Sequence, residues 1–220
     1  APNIHAFPLI PVAGLSLVAA YLPSSTQELI MPAPRILAFS GSLRAESLNQ
    51  RILLVAAEGA STAGAAVEII KLKDFDLPLY DGDQEASSGL PAGAVALKER
   101  MMAAQGFLIA SPEHNSTYSA ALKNAIDWAS RSLPSEPSLA CFKNKAAALV
   151  SASPGALGGL RGLPQLATLL RNLQMIVLPN QRAISAAHEA FLEDGSMKDR
   201  AAAEGLRAVL LHQTGARPLC

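Results

Sequence analysis

The sequence predicts an α/β fold in which one doubly wound sheet of five parallel strands is covered by helices on both faces. The first observation is an alternation, from Arg35 onward, of short apolar runs with helical patterns of ten or more residues. The second is a hydrophobic share of 50% in 220 residues, which is enough for a sizeable core without disulfide bonds. Strands that alternate with helices form βαβ units, so the sheet should be parallel with right-handed crossovers.

Five apolar runs are predicted as the strands. The first, RILAFS, is short and has turn residues behind it, which is typical of a buried strand. The predicted strands span residues 35–40, 65–72, 106–111, 145–153 and 175–179.

Helical periodicity between these runs predicts five helices. In the first helix, Leu48, Ile52, Val55 and Ala56 recur at the spacing of one helix face. The predicted helices span residues 48–63, 92–105, 119–131, 163–173 and 197–213, and residues 73–91 and 132–144 are expected to be long loops. In the third helix the core face is Leu122, Ala125, Ile126 and Ala129; Trp128 should pack, and Lys123 and Asn124 should face solvent or a partner subunit.

Charge and motifs exclude several classes of function. Acidic and basic side chains number 18 each, so no basic excess points to nucleic acid or to an anionic membrane surface. The sequence has no CxxC, HExxH or GxxxxGK[ST] pattern, so no metal site is predicted and P-loop chemistry lacks support. Cys141 and Cys220 are isolated thiols, which favours a reducing cytoplasm over a disulfide framework.

Residues 1–30 are expected to be an appendage outside the fold, which leaves residues 31–220 as the domain. The apolar run in this segment has about sixteen residues, short of the ~18 of a membrane span, and it contains Pro11. A secretory signal would begin with basic residues, yet none precedes Arg35. An atypical targeting segment and an extra packed arm are the alternatives.

Three loops follow strands one, three and four, and all three should lie at the carboxyl edge of the sheet. In a parallel sheet of order 2-1-3-4-5, strands one and three are neighbours at the switch point, where ligands bind. The loop after strand four would lie beside the loop after strand three and close the site.

The first loop, GSLRAESLN, carries groups that suit a phosphate monoester. The helix that follows offers unpaired N–H groups and a partial positive charge at its start. Ser42, Ser47 and Asn49 add short donors, and the guanidinium of Arg44 matches phosphate oxygens. The simpler alternative is a helix capped by Ser47 beside a solvated Arg44.

The second loop, PEHNSTYS, begins with Pro112, Glu113, His114 and Asn115 after a buried strand. Backbone groups in such a turn can bind the edge of a planar heterocycle, with His114 against its face or rim. Ordinary turn chemistry for Asn115 and a surface imidazole for His114 are the alternatives.

The third loop, SPGALGGLRG, is rich in glycine, which allows a backbone to approach a ligand closely. A flexible connection is its alternative interpretation.

Together these loops resemble the NADPH-dependent FMN reductase family of flavodoxin-like proteins, which includes bacterial chromate and quinone reductases. The resemblance runs from about Arg35 to Val177. Its marks occur in order at family-like separations and are GSLRAESLN, DLPLYDGD, PEHNSTYSAALKNAIDW and SPGALGGLRG. A flavodoxin-like sheet of order 2-1-3-4-5 is implied.

The resemblance implies a bound FMN and NADPH or NADH as hydride donor. The FMN phosphate would be held by Ser42, Arg44, Ser47 and Asn49; the isoalloxazine and ribityl chain would be bordered by Pro112, Glu113, His114, Asn115 and Ser116; Ser153, Gly155 and Gly158 would complete the pocket. Hydride would pass to the flavin and then to a small-molecule acceptor: a quinone, chromate, an azo compound or free flavin. No catalytic side chain is required, because the cofactor carries the chemistry. A homodimer or homotetramer is also implied.

One departure and two alternatives accompany this interpretation. The family usually has Tyr where this chain has His114, which bears on the flavin's potential and on the preferred acceptor rather than on binding. A non-enzymatic flavodoxin-like electron carrier is one alternative, although a carrier is expected to be acidic and this chain is neutral. An FMN-binding sensor domain is the other.

Overall fold

The sheet of the protein contains six short strands. The computed structural model describes residues 32–134 and 136–211, so the prediction for residues 1–30 lies outside the described part. The strands are β1 (Arg35–Ser40), β2 (Ala66–Lys71), β3 (Gly106–Ala110), β4 (Ala146–Ala152), β5 (Ile176–Val177) and β6 (Arg182–Ile184). The helices are α1 (Leu48–Thr62), α2 (Gly82–Ser88), α3 (Ala92–Ala103), α4 (Ala120–Ser130), α5 (Gly162–Asn172) and α6 (Arg200–Arg207).

The strand order is β2-β1-β3-β4-β5, with β6 also paired to β4, and all these pairs are parallel. The predicted doubly wound α/β fold and its order 2-1-3-4-5 are therefore confirmed. The first strand lies inside the sheet, next to β3, as a switch point between these strands requires.

Helices cover both faces of the sheet because successive strand residues point to opposite sides. Phe107 and Leu149 belong to one apolar cluster, which includes residues of α3, α4 and α5. Leu108 and Val150 belong to the other, which includes residues of α1 and α6. The strands β3 and β4 are buried on both sides, which explains their nearly continuous apolar sequence.

The fifth strand was predicted as one run, 175–179, and this prediction is wrong in its extent. Val177 pairs with Ala147 and Arg182 pairs with Val150, so residues 178–181 stand opposite only two residues of β4. Pro179 has no N–H to donate, and the N–H of Gln181 turns back to the carbonyl of Pro179 at 3.0 Å. The edge of the sheet is therefore built from two short strands instead of one.

The segment 73–91 was predicted as a loop, but it contains helical structure. A 3₁₀ turn spans Leu72–Phe75, and α2 begins after Asp81, whose side chain accepts a bond from the N–H of Asp83. The helix α2 buries no residue, so it lacks the apolar periodicity by which a helix is recognised in a sequence.

The other helices agree with their predicted spans to within about three residues at their starts, and the last one is shorter at its end. The helix predicted over 197–213 is observed as Arg200–Arg207, and residues beyond 211 lie outside the described part. Among the helices that the structure describes, none combines the length and the apolar character that a membrane crossing requires.

Candidate functional site

The first loop curls back on its own serine hydroxyls. The N–H of Ser42 donates to Oγ of Ser40 at 3.1 Å, and the N–H of Arg44 donates to Oγ of Ser42 at 3.4 Å. Ser47 caps α1 by accepting a bond from the N–H of Gln50 at 3.1 Å. Arg44 is exposed, and its guanidinium has no hydrogen bond or ion pair within residues 32–134 and 136–211. The loop thus presents a cation beside a capped helix start.

Asn49 joins the start of α1 to the end of β4. Its Nδ2 donates to the carbonyl of Ala152 at 2.9 Å, and its Oδ1 accepts from the N–H of Ala152 at 3.0 Å. The residue is 4% exposed. The Asn49 amide was predicted to bind a phosphate, but its oxygen and its nitrogen both already bond to the backbone of Ala152. A ligand could therefore use only the second N–H of Nδ2.

The second loop forms a tight turn at the carboxyl end of β3. The N–H of His114 donates to the carbonyl of Thr117 at 2.8 Å, and the reciprocal bond measures 3.1 Å. Between them Asn115 and Ser116 have φ of 51° and 68°, the left-handed conformation that both central positions of a type I′ turn require. His114, Asn115 and Ser116 are exposed at the tip, and Pro112 is buried behind them.

The carboxylate of Glu113 fastens the second loop to the third. Its Oε2 accepts bonds from the N–H groups of Arg161 (2.9 Å) and Gly162 (3.1 Å), at the start of α5. Its Oε1 accepts a bond from Nε of Arg161 at 2.8 Å within an ion pair. Burial acts to raise the pKa of Glu113, but the bonds from Arg161 and Gly162 outweigh it and hold the pKa below its ordinary value.

The third loop is a packed turn rather than a flexible connection. Gly158 has φ of +61°, and a Cβ there would lie 2.6 Å from the carbonyl carbon of Ile184. At Gly159 a Cβ would lie 1.8 Å from Oγ of Ser151. Both positions need glycine for close packing, which is a structural role that the sequence interpretation did not assign.

The remaining predicted residues of the third loop lie at its entrance. The N–H of Gly155 donates to Oγ of Ser153 at 3.2 Å, and the carbonyl of Gly155 accepts from Ala186 at 3.3 Å. Gly155 is exposed, whereas Gly158 is buried. Ser153 and Gly155 therefore face the open side of the loop, and Gly158 lies beneath it.

Two serines that sequence reasoning missed join the loops to one another. Oγ of Ser119 donates to the carbonyl of Gly41 at 2.6 Å and also caps α4 by accepting from Leu122 at 3.2 Å. Oγ of Ser151 donates to the carbonyl of Ser111 at 2.6 Å. A serine before a helix was a visible capping signal for Ser119, but its bond to a residue 78 positions away was not.

The motif LKNAIDW in α4 holds the segment 77–80 in place. Trp128 is fully buried and donates from Nε1 to the carbonyl of Pro78 at 2.7 Å. Asn124 donates to the same carbonyl at 2.8 Å and accepts from the N–H of Tyr80, also at 2.8 Å. Packing of Trp128 was predicted, whereas Asn124 faces its own chain instead of solvent or a partner.

The structure thus brings the three loops into one connected surface at the carboxyl edge of the sheet. The side chains of Arg44 and His114 are exposed on it. Those of Ser47, Asn49 and Glu113 bond to backbone groups and shape the loops. All twelve predicted residues lie on this surface or directly beneath it, but they divide into exposed residues and residues that shape the loops.

Comparison with known proteins places this arrangement among flavin-dependent reductases. The sequence profile of the family described as NADPH-dependent FMN reductase matches residues 34–189. A probable NADPH:quinone oxidoreductase of Oryza sativa subsp. japonica is 35% identical over 182 residues, covering 81% of this chain and 86% of the relative. An NAD(P)H-dependent FMN reductase of Pseudomonas aeruginosa is 36% identical over 171 residues, covering 77% and 88%.

A solved structure agrees with these relatives. FerB, a flavoenzyme NAD(P)H:(acceptor) oxidoreductase from Paracoccus denitrificans, superposes with a TM-score of 0.67 at 30% sequence identity. The match covers 80% of this chain and 92% of FerB.

Proposed function

Because the chain belongs to the NADPH-dependent FMN reductase family and is an oxidoreductase, we propose that its FMN lies across the three joined loops and passes hydride equivalents from NAD(P)H to a quinone. The observation that carries the proposal is the connected surface itself. Asn49, Glu113 and Ser119 fasten the loops after β1, β3 and β4 to one another, so a cofactor would meet a preformed site.

The donor set of the first loop fits a phosphate ester. Arg44 supplies an exposed guanidinium, Ser42 a hydroxyl, and the start of α1 unpaired N–H groups. We assign the isoalloxazine and ribityl chain to the second and third loops, along the residues that the family resemblance implies. FMN would supply a centre that accepts hydride and releases electrons, while the protein binds, orients and shields it.

A flat apolar acceptor fits the rim of this surface better than a small anion does. Leu43 of the first loop and Leu157 and Leu160 of the third are 52%, 49% and 54% exposed. Exposed apolar side chains on loops that border a site favour an apolar ligand. We therefore favour quinones over chromate, with azo compounds and free flavin as further candidates, in a compartment such as the cytoplasm, where the free thiol of Cys141 stays reduced.

Purified protein tests the proposal directly. It should be yellow, bleach on anaerobic addition of NADPH, and recover its colour when benzoquinone is added. Colour that NADPH and NADH both fail to bleach would favour an electron carrier or sensor domain, and protein that binds no FMN would contradict the proposal. Turnover with chromate that exceeds turnover with quinones would reject the acceptor class alone.

We also propose a homodimer or homotetramer. Leu79 is 81% exposed although its neighbours Pro78 and Tyr80 are held against α4, so an ordered segment presents a large apolar side chain to solvent. Covering such a residue by a second copy would stabilise the assembly. Light scattering at micromolar protein should give a multiple of 22.9 kDa, and Leu79→Asp should lower the measured mass; a monomeric wild-type mass contradicts the proposal.

A further inference from the structure

His114 stands at a fixed point of the second loop. Its backbone is closed by two hydrogen bonds with Thr117, and the φ angles of Asn115 and Ser116 complete a tight two-residue turn. On the preceding side, three bonds fasten Glu113 to the third loop and the start of α5. The backbone that carries the imidazole is therefore held from both sides, while the residue itself is exposed.

The third loop packs directly on this turn. A Cβ at Gly162 would lie 3.2 Å from the carbonyl oxygen of Thr117 and 3.5 Å from Cβ of Glu113. A Cβ at Gly159 would lie 3.7 Å from the same Cβ of Glu113. The exposed Leu160 stands between these two glycines in the chain, so the apolar rim to which we assign the acceptor borders the turn.

Most charged side chains of the three loops cannot release a proton near neutral pH. Apart from His114, the charged residues of the loops as the structure describes them are Arg44, Glu46, Glu113 and Arg161. Burial acts to raise the pKa of Glu113, yet its bonds to Arg161 and Gly162 hold that pKa below the ordinary value, so the carboxyl is ionised near neutral pH. The two guanidinium groups keep their protons, as arginine does in proteins.

The remaining charged groups are engaged elsewhere. Glu46 lies in the first loop, at the phosphate end of the proposed site. On α4, which follows the turn, Lys123 pairs with Asp127 at 2.7 Å. Within the described part of the chain, the imidazole of His114 has no hydrogen bond or ion pair. Histidine is the residue type that exchanges a proton near neutral pH, which leaves His114 as the candidate acid at the rim.

The reduction of a quinone requires such an acid. A quinone becomes a hydroquinone by gaining two electrons and two protons, and a hydride supplies both electrons with one of the protons. The second proton must reach a quinone oxygen, on which negative charge develops as its C=O π bond breaks. A positioned acid that donates to this oxygen lowers the barrier.

We propose that His114 is this acid and that its imidazolium donates a proton to the carbonyl oxygen of the bound quinone. One N–H bond of the ring breaks, an O–H bond forms on the acceptor, and the neutral imidazole regains a proton from water. The overall reaction consumes NAD(P)H, the quinone and one proton and releases NAD(P)⁺ and the hydroquinone. The inference rests on the proposed quinone reductase function and adds a catalytic residue to it.

The reaction of the reduced protein with two acceptors tests the proposal. Protein reduced by NADPH without oxygen is mixed in stopped flow with benzoquinone, or with ferricyanide, which takes electrons but no proton. His114→Gln keeps an N–H donor of similar size but has no proton to release. The ratio of the benzoquinone rate to the ferricyanide rate should fall at least about tenfold at pH ~6.5. An unchanged ratio overturns the proposal.

Two further variants are the controls. His188→Gln removes a histidine that is 52% exposed and lies outside the three loops, so the ratio should stay at the wild-type value. Tyr118→Phe removes the phenol of the second loop, whose ring packs against the apolar cluster of α3, α4 and α5. A fall in the ratio for Tyr118→Phe that equals the fall for His114→Gln would give the role to the phenol and overturn the proposal.

The dependence on pH provides a readout that a merely structural role would not share. The wild-type rate with benzoquinone should fall as pH rises through the titration of His114, because the acid form is lost, whereas the rate of His114→Gln should stay nearly flat. Proton NMR of the FMN-loaded protein follows the ring proton of His114 without turnover, assigned by its disappearance in the variant. A midpoint that agrees with the rate profile supports the proposal, and a ring that does not titrate between pH ~5 and ~9 overturns it.

A failure of the proposed function would look different. Wild-type protein that oxidises neither NADPH nor NADH would contradict the reductase itself. An unchanged acceptor ratio in a working reductase would contradict only the role of His114.

Discussion

Arg44 projects from the first loop into solvent, whereas Ser47 and Asn49 of the same loop are buried and bonded. A guanidinium in this position can contribute charge-assisted bonds to a phosphate, each worth about 1.5–3 kcal/mol, without taking part in folding. The shape of the loop is instead held by the hydrogen bonds of Ser47 and Asn49.

We expect Arg44→Ala to weaken FMN binding by about ten- to hundredfold, since one such bond is lost. Binding of riboflavin, which has no phosphate, should stay nearly unchanged. Fluorescence titration of the apoprotein with both flavins measures the difference, and Arg171→Ala controls for the loss of a charge. Equal weakening for both flavins would show that Arg44 shapes the loop, and no weakening would show a solvated arginine.

The carboxylate of Glu113 bonds the second loop to the third, and we expect it to support the proposed flavin site by holding the third loop in place. Glu113→Ala removes the cap of α5 and the partner of Arg161, and we expect a loss of about 1–2 kcal/mol in unfolding free energy. FMN binding should weaken as well, because the two loops separate. Glu113→Gln keeps an acceptor and should recover part of both losses in urea unfolding and flavin titration. If FMN affinity is unchanged in the alanine variant, the connection between the loops does not organise the site.

The side-chain amide of Asn49 adds two hydrogen bonds between α1 and β4 to the apolar contacts that these elements share. Asn49→Ala would leave the N–H and C=O of Ala152 without their partner in a buried place, at about 1–3 kcal/mol for each group. We expect the unfolding free energy to fall by about 2–3 kcal/mol in urea titrations. Gln50→Ala, one residue further along the helix, should cost much less. A stable Asn49→Ala protein with weaker FMN binding would assign the amide to the ligand instead.

At the scale of the elements, the sequence predicted the strands and helices that have a clear apolar pattern. It did not predict the elements that lack such a pattern. Continuous apolar runs predicted β3 and β4 correctly, since both are buried on two faces. The run ending at Pro179 looked like one complete strand, and the return of the chain at Arg182 was too short and too polar to be recognised.

The meeting of the three loops followed from strand order, because all three leave the sheet at the same edge. The orientation of individual side chains could not be predicted from strand order. The partners of Asn49 and Glu113 lie 103 and 48 positions away in the chain, and no local pattern encodes contacts at that separation.

At the scale of the whole molecule, three carboxylates connect stability to pH. A hydrogen bond from Arg131 lowers the pKa of Glu85, and one from buried Lys98, paired at 2.8 Å, lowers that of Glu136. The pKa of Glu113 is lowered as well. A group with a lower pKa in the folded state stabilises the fold above its unfolded value and loses that contribution as pH falls.

The unfolding free energy should therefore change little through these groups above pH ~5 and decrease as pH falls below their unfolded pKa of about 4.3. Urea unfolding at a series of pH values measures the profile. Glu136→Gln should be less stable at neutral pH and show a shallower decrease in acid. A profile that rises toward acid, or one identical in the variant, would contradict this account.

The domain should also be independent of the first thirty residues. A chain that begins at Met31 should fold and bind FMN as tightly as the full chain, because the described sheet, its helices and the three loops all follow that position. Thermal unfolding and FMN titration of the two chains test this. A lower melting temperature or loss of dispersed protein on truncation would show that residues 1–30 pack against the domain.

The divided strand at the edge of the sheet has a consequence for behaviour at high concentration. An uninterrupted edge strand offers a row of free N–H and C=O groups that can recruit strands of other molecules and seed fibrils. Here the row is broken, since β5 has two residues, β6 has three, and Pro179 lies between them. At the other edge, β2 carries Glu68 and Lys71, whose charges oppose the approach of a like strand. We expect concentrated protein to resist amyloid-like growth from either edge.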